Sequence, residues 1–300
     1  MSGPISLRGV YVPLVTPFQD DGKIDLGALE RLTEHILEEG AAGVVALATT
    51  GEASSLSELE RVDVVAVCAT VCEDRGAQLL VGAGTNDTAT TVSRHAALAG
   101  VPSVVASLAV VPYYVRPSEA AIVAHFEFVA ARSPVPLVVY NIPYRTGRGL
   151  GAAALLALSA TEGIVGVKQA VGGIDSDTLE VLSRSPSGFA VLGGDDAYLV
   201  PIVFMGGAGA IAASANVCTK RFVAMIDAAL AGDVPTARQH AEALLPLVLA
   251  LFAEPSPAIV KALLHAEGHI PTPAVRMPLA PASSAGMRAA HAALEAASDA

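Results

Sequence analysis

The sequence predicts a closed (β/α)₈ barrel followed by a C-terminal helical extension. Eight short apolar runs, rich in β-branched residues, alternate with helical patterns between Gly9 and Ala213. Near-continuous apolar strands of this kind belong to a parallel sheet covered on its faces, and eight such units suit a barrel. From about Lys220 the strands stop and only helical periodicity remains. An open doubly wound sheet is the alternative, but no G-x-G-x-x-G turn follows the first strand.

In order, Gly9–Thr16 reads as the first strand, and a turn at Gln19–Gly22 leads to a helix from Leu26 to Glu39 that Asp25 can cap. Gly43–Ala48 is the second strand, and Ser57 opens the helix after it, which runs to about Glu73. Gln78–Ala83 is the third strand, with Asp87 or Thr88 capping a helix to Ala99. Ser103–Leu108 is the fourth, and Ser118 starts a helix whose early Glu119 suits the helix dipole. Pro136–Tyr140 is the fifth strand, and a short helix over 151–158 leads to the sixth, Ile164–Lys168. Asp175 or Ser176 caps a helix to Arg184; Phe189–Leu192 is the seventh strand. Asp196 opens a helix to Met205, and Gly209–Ala213 is the eighth strand. Helical patterns then fill 221–231, 234–252, 257–268 and 284–297. The expected division is a catalytic barrel over 1–225 and a helical extension over 226–300 packed on it.

Composition narrows the function classes. The chain has 300 residues, is 53% hydrophobic and carries a net charge of -11, with no basic cluster. That excludes a disordered chain and an electrostatic nucleic-acid footprint. No apolar run is long enough for a transmembrane span, and Met1–Gly9 has no signal-peptide pattern. Three cysteines are too few for a disulfide framework, so a reducing, cytoplasmic compartment is expected. Cys68 and Cys72 read as small helix-packing residues. No metal is expected, because the seven histidines mostly fall on helices rather than at strand ends.

In a barrel of this kind the chemistry sits where strands meet the following loops. Lys168 stands there, at the end of the glycine-bounded run 163–170. Burial disfavours the ammonium form, and a neutral lysine amine attacks carbonyls to form a Schiff base. Taken alone, this lysine reads first as one reaching water along its apolar stem. Its neighbours at the strand ends favour the chemical role. Tyr140 ends the adjacent strand and can shuttle a proton, with Thr49 as a relay hydroxyl. Thr50 and Gly51 offer backbone N–H groups for a carboxylate, and Arg145 offers a bidentate fork for another.

Several motifs resemble one family. Thr-Thr-Gly-Glu at 49–52, Tyr-Asn-Ile-Pro at 140–143, Gly-Val-Lys at 166–168 and Gly-Asp-Asp at 194–196 are each similar to its motifs. So are Ser256-Pro257 to Lys261 and Arg-Met-Pro-Leu at 276–279. The chain as a whole resembles the dihydrodipicolinate synthase / N-acetylneuraminate lyase family of Schiff-base aldolases. The resemblance implies an imine between Lys168 and pyruvate, a Tyr140–Thr49 relay and a pyruvate carboxylate held by Thr50 and Gly51. It implies substrate contacts at Gly194 and Ile211. It also implies that Tyr114 crosses a subunit interface to complete a neighbour's relay, that the assembly is a homotetramer built as a dimer of dimers, and that no cofactor is needed beyond the covalent imine.

Arg145 resembles the arginine that, in the synthase branch, holds the carboxylate of aspartate semialdehyde. The leading reading is therefore a 4-hydroxy-tetrahydrodipicolinate synthase. A 2-keto-3-deoxy sugar-acid or N-acetylneuraminate-type aldolase or dehydratase shares the same machinery, and a non-catalytic keto-acid-binding barrel is the reading from another class. The chain departs from the family at Ala48, where glycine is usual, at Tyr144, where a small residue is usual, and at Gln169, where an acid is common. Thr90 replaces an acidic residue of lysine-inhibited members, which implies weak or no inhibition by lysine.

Overall fold

The computed structural model describes residues 6–299; residues 1–5 of the segment read for a signal peptide, and Ala300 of the extension, lie outside it. Among the described residues eight parallel strands close into a barrel in sequence order. They are β1 (Gly9–Pro13), β2 (Gly43–Ala46), β3 (Gln78–Gly82), β4 (Val104–Val110), β5 (Leu137–Asn141), β6 (Ile164–Gln169), β7 (Ala190–Gly193) and β8 (Gly209–Ile211). The helices are α1 (Leu26–Glu38), α2 (Glu58–Arg75), α3 (Thr88–Ala96), α4 (Glu119–Ala130), the single turn α5 (Pro143–Thr146), α6 (Ala152–Ser159), α7 (Ser176–Arg184), α8 (Leu199–Phe204) and α9 (Thr219–Leu230). The extension adds α10 (Val234–Leu251), α11 (Ala258–Ala266) and α12 (Ser284–Asp299). The (β/α)₈ expectation is met, with β8 pairing β1 through Val10 and Ala210.

Local chemistry sets the helix starts. Asp25 accepts from the Ala28 N–H, and Ser57 and Glu60 form a reciprocal capping box on α2. Asp87 and Asp175, rather than Thr88 and Ser176, cap α3 and α7. Several boundaries differ from expectation: β2 ends at Ala46, β4 runs on to Val110, β8 ends at Ile211 and α3 ends at Ala96. The first strand ends at Pro13, and the Leu14 N–H makes one last bond to the Val45 carbonyl at 3.1 Å before the chain turns away. The helix expected from Asp196 begins instead as a 3₁₀ turn, Asp196–Tyr198, and only then becomes α8. The Asp196 carboxylate is turned inward, accepting from the Ser214 N–H at 2.7 Å, so it does not cap its own helix.

Side chains fill the barrel interior in a layer that includes Tyr11, Leu80, Val138, Tyr140, Leu192 and Ile211. A second core lies between the strands and helices. It runs without a break from Val12 and Phe222 to Leu247, Leu263 and Leu294, so the extension shares the barrel's core. The expected division at 225/226 falls inside α9. Cys68 and Cys72 are fully buried free thiols on α2. No helix of the described residues is long and apolar enough to cross a membrane.

Candidate active site

The strand register builds the site. Tyr140 on β5 pairs directly with Lys168 on β6, and Lys168 pairs with Leu192 on β7. Neighbouring strands lie about 4.8 Å apart, so side chains leaving these positions on the same side must meet. The Lys168 Nζ lies 4.4 Å from the centroid of the Tyr140 ring. Lys168 is 5% exposed and Tyr140 is 7% exposed. Gly194 makes room for the lysine: a Cβ there would come within 2.8 Å of the Lys168 Cε and Cγ.

Burial sets the electrostatics. Loss of water pushes the Lys168 ammonium down to about 8, against the opposing attraction of Asp196, Tyr144 and Asp195. Burial also pushes the Tyr140 phenol well above its usual range, while the Arg145 charge and the Thr49 hydroxyl pull it the other way. At neutral pH the pair is thus a protonated phenol beside an amine that sheds its proton readily.

Two aspartates belong to this site that sequence reasoning had not given a role. Asp195 accepts from the Gly172 N–H at 2.6 Å, and Asp196 is buried with its second oxygen, Oδ1, unpartnered. Burial raises both carboxyls, and Lys168 lowers both. The signal was available, because β7 is the neighbour of β6 and an acidic pair three residues past Leu192 must reach toward Lys168. It was masked because an aspartate after a strand also reads as a helix cap.

Lys168, Tyr140, Thr49, Thr50, Gly194, Asp195 and Asp196 line one cavity of about 680 Å³, large enough for two small substrates. Val248 and Leu249 of α10 and Phe252 just past its end form its outer wall. Arg145 and Tyr144 line it from α5. The Arg145 Nε–H donates to the Tyr144 hydroxyl at 3.1 Å, with the guanidinium 5.2 Å from the ring centroid. Tyr144 thereby orients the arginine it accompanies. Gln169 also finds its reason. Its carbonyl accepts from Asn141 and its amide donates to Thr178, both at 3.0 Å, so a neutral side chain serves both bonds beside Lys168.

Two expected substrate contacts sit elsewhere, and Tyr114, expected to serve a neighbour, stands outside its own cavity. The Gly51 N–H donates to the Ala48 carbonyl at 3.1 Å, closing the 3₁₀ turn Thr49–Gly51, so it is not a spare donor for a carboxylate. Ile211 is fully buried in the interior layer and does not line the cavity. Tyr114 stands outside the cavity, 88% exposed, with a left-handed φ of 69°. A bulky residue in that conformation is strained, which is characteristic of functional segments.

Comparison with known proteins places this arrangement. A family model described as the dihydrodipicolinate synthetase family matches residues 6–297. The chain is 38% identical to the 4-hydroxy-tetrahydrodipicolinate synthase of Neisseria gonorrhoeae, over 97% of this chain and 98% of that one. The solved 4-hydroxy-tetrahydrodipicolinate synthase of Methylacidiphilum fumariolicum SolV superposes with a TM-score of 0.93 at 32% identity, covering 98% of this chain and 97% of that one. The chloride-inhibited dihydrodipicolinate synthase of Acinetobacter baumannii, complexed with pyruvate, gives a TM-score of 0.93 at 31% identity, covering 98% and 99%.

Proposed function

We infer, for a chain that belongs to the dihydrodipicolinate synthetase family, that Lys168 forms a Schiff base with pyruvate and condenses it with L-aspartate 4-semialdehyde. The enzyme is a lyase of the aldolase type, a 4-hydroxy-tetrahydrodipicolinate synthase. The observation that carries the site reading is the buried Lys168 amine lying 4.4 Å from the Tyr140 ring, inside a cavity that Arg145 also lines. The pyruvate in the Acinetobacter baumannii structure supports the choice of first substrate.

The neutral amine attacks the keto carbon of pyruvate, giving a carbinolamine. Tyr140 supplies a proton to the departing hydroxyl, which leaves as water, and Thr49 relays the proton that replaces it. The resulting imine is cationic, and the Asp195 and Asp196 charges favour it. Loss of a C3 proton gives the enamine, whose C3 attacks the aldehyde carbon. Thr50, which lines the cavity, offers its backbone N–H to the pyruvate carboxylate, and Arg145 holds that of the second substrate. No step of this route calls on a metal. The exposed, strained Tyr114 completes the relay of a neighbouring subunit, which makes the working unit at least a dimer.

Capture of pyruvate needs the unprotonated amine. At pH 7 a lysine at about 8 is about one-tenth neutral, far more than an unshifted one. The rate of imine formation should therefore rise about tenfold per pH unit below 8 and level off above it. A profile flat from pH 6 to 8 would count against an amine of this kind.

Substrate choice is read from a panel of aldehydes offered with pyruvate. Aspartate semialdehyde should give a higher kcat/KM than sugar aldehydes. Arg145→Ala should raise its KM by roughly 10–100-fold, the cost of about 1.5–3 kcal/mol for a charged hydrogen-bond partner, and leave the KM of pyruvate nearly unchanged. A wild-type preference for sugar aldehydes would assign the sugar-acid branch instead.

A further inference from the structure

We propose that Glu52 is a positioning residue for this reaction: locked between Lys261 and the Arg276 backbone, it fixes the Thr49–Thr50 turn from outside the cavity and so makes the C-terminal extension part of the proton relay. The inference rests on the reading that Lys168 works on pyruvate with Tyr140 and Thr49.

Glu52 is 3% exposed and does not line the cavity. Its N–H donates to the Thr49 carbonyl at 3.1 Å, so the two residues share one turn. Its backbone is left-handed, φ 53° and ψ 33°, a region that residues with a Cβ avoid. Such a conformation persists only where the surroundings over-determine it. Here they do so through the side chain. Glu52 Oε1 accepts from Lys261 Nζ at 2.8 Å, and Oε2 accepts from the Arg276 N–H at 2.7 Å. The Lys261 and Glu52 side chains are 0% and 1% exposed.

The partners are themselves immobilised. Lys261 Nζ lies 4.0 Å from the Phe18 ring centroid and the Arg276 guanidinium 4.5 Å from it. Arg276 also grips Glu60 and donates to the Ser55 carbonyl at 2.9 Å. Beside Glu52, buried Arg61 donates to the Ala53 carbonyl at 3.0 Å and bridges to the Gly82 carbonyl of β3 at 3.1 Å. A Cβ at Gly82 would come within 2.1 Å of the carbonyl of Leu47, the second left-handed residue, φ 56°, bounding this turn. The turn that carries Thr49 and Thr50 is therefore held at its Glu52 end by Lys261, Arg276 and Arg61, none of which lines the cavity.

A buried ion pair is weak evidence for stability, since a well-packed apolar pair often does as well. What the Glu52 pair does uniquely is hold a disfavoured backbone. If Glu52 relaxed out of the left-handed region, the Thr49 carbonyl would swing and the Thr49 hydroxyl would leave Tyr140.

The test uses Lys261→Met and, because an unpaired buried Glu52 can impair folding, the double variant Glu52→Gln/Lys261→Met, which buries no charge at the pair. Each is assayed well below its own Tm. One readout is exchange of the pyruvate C3 protons with D₂O, which needs no aldehyde. The other is amide deuterium uptake, which needs no activity. Uptake should rise over residues 47–56 and stay unchanged over 164–169. C3 exchange per folded molecule should fall roughly 10–100-fold, chiefly in turnover rather than in pyruvate KM. C3 exchange within about twofold of wild type in both variants, whatever happens to Tm, overturns the proposal. A wild-type enzyme that exchanges no C3 protons overturns the pyruvate reading and this inference with it.

Discussion

Tyr140→Phe should retain the fold and lose roughly 10²–10⁴ in kcat, the usual cost of removing a positioned proton-transfer group. The change deletes one oxygen from a ring that is 7% exposed and packed in the barrel's interior layer, so the ring's packing is kept and the thermal midpoint should barely move. The chemical loss is large because the phenol belongs to the ring that lies 4.4 Å, centroid to Nζ, from the Lys168 amine, and burial keeps it protonated. Binding of pyruvate does not use this hydroxyl, so KM for pyruvate should change little. Steady-state kinetics alongside a melting curve decides the matter. Wild-type kcat in a folded Tyr140→Phe enzyme would remove Tyr140 from the relay.

The second large effect is a return of activity from two dead proteins. Lys168→Ala lacks the nucleophile, and Tyr114→Phe lacks the hydroxyl proposed to reach a neighbour's site. Mixed and allowed to exchange subunits, they should form dimers in which the Tyr114→Phe subunit keeps its lysine and receives an intact tyrosine from its partner. Random pairing gives about half mixed dimers with one complete site of two, or about a quarter of wild-type activity. A tyrosine that is 88% exposed and strained on its own subunit has a reason to be so if a partner covers it. If Tyr114 served its own barrel, every site in the mixture would remain defective and no activity would return.

Much of this site was legible because barrels translate linear order into position. Once β5 and β6 were read as consecutive parallel strands, Tyr140 and Lys168 had to be neighbours, and the register pairs them directly. Burial of β6 then shifts the lysine without further information. Asp196 was misread because its local pattern is that of a cap, whereas its real partner, the Ser214 N–H, lies 18 residues on. The Gly51 N–H reads as a free donor because the hydrogen bond that closes the Thr49–Gly51 turn cannot be seen in a string of residues, and Ile211 belongs to the buried interior rather than the cavity. The Glu52–Lys261 pair spans 209 residues, beyond the reach of any periodicity or capping rule. The destination of Tyr114 depends on a second chain and is legible in neither the sequence nor one subunit.

The central claim is that Lys168 is the covalent nucleophile, and reductive trapping tests it most directly. The chain has four lysines, Lys23, Lys168, Lys220 and Lys261, so the outcome is easily assigned. Lys23 is an exposed surface residue paired with Asp21, and Lys261 is fully buried against Glu52. Pyruvate with borohydride, followed by peptide mass analysis, should place one irreversibly bound, reduced pyruvate on the peptide containing Lys168, with activity lost in proportion. No adduct, or an adduct on one of the other three lysines while Lys168 stays unmodified, would contradict the account.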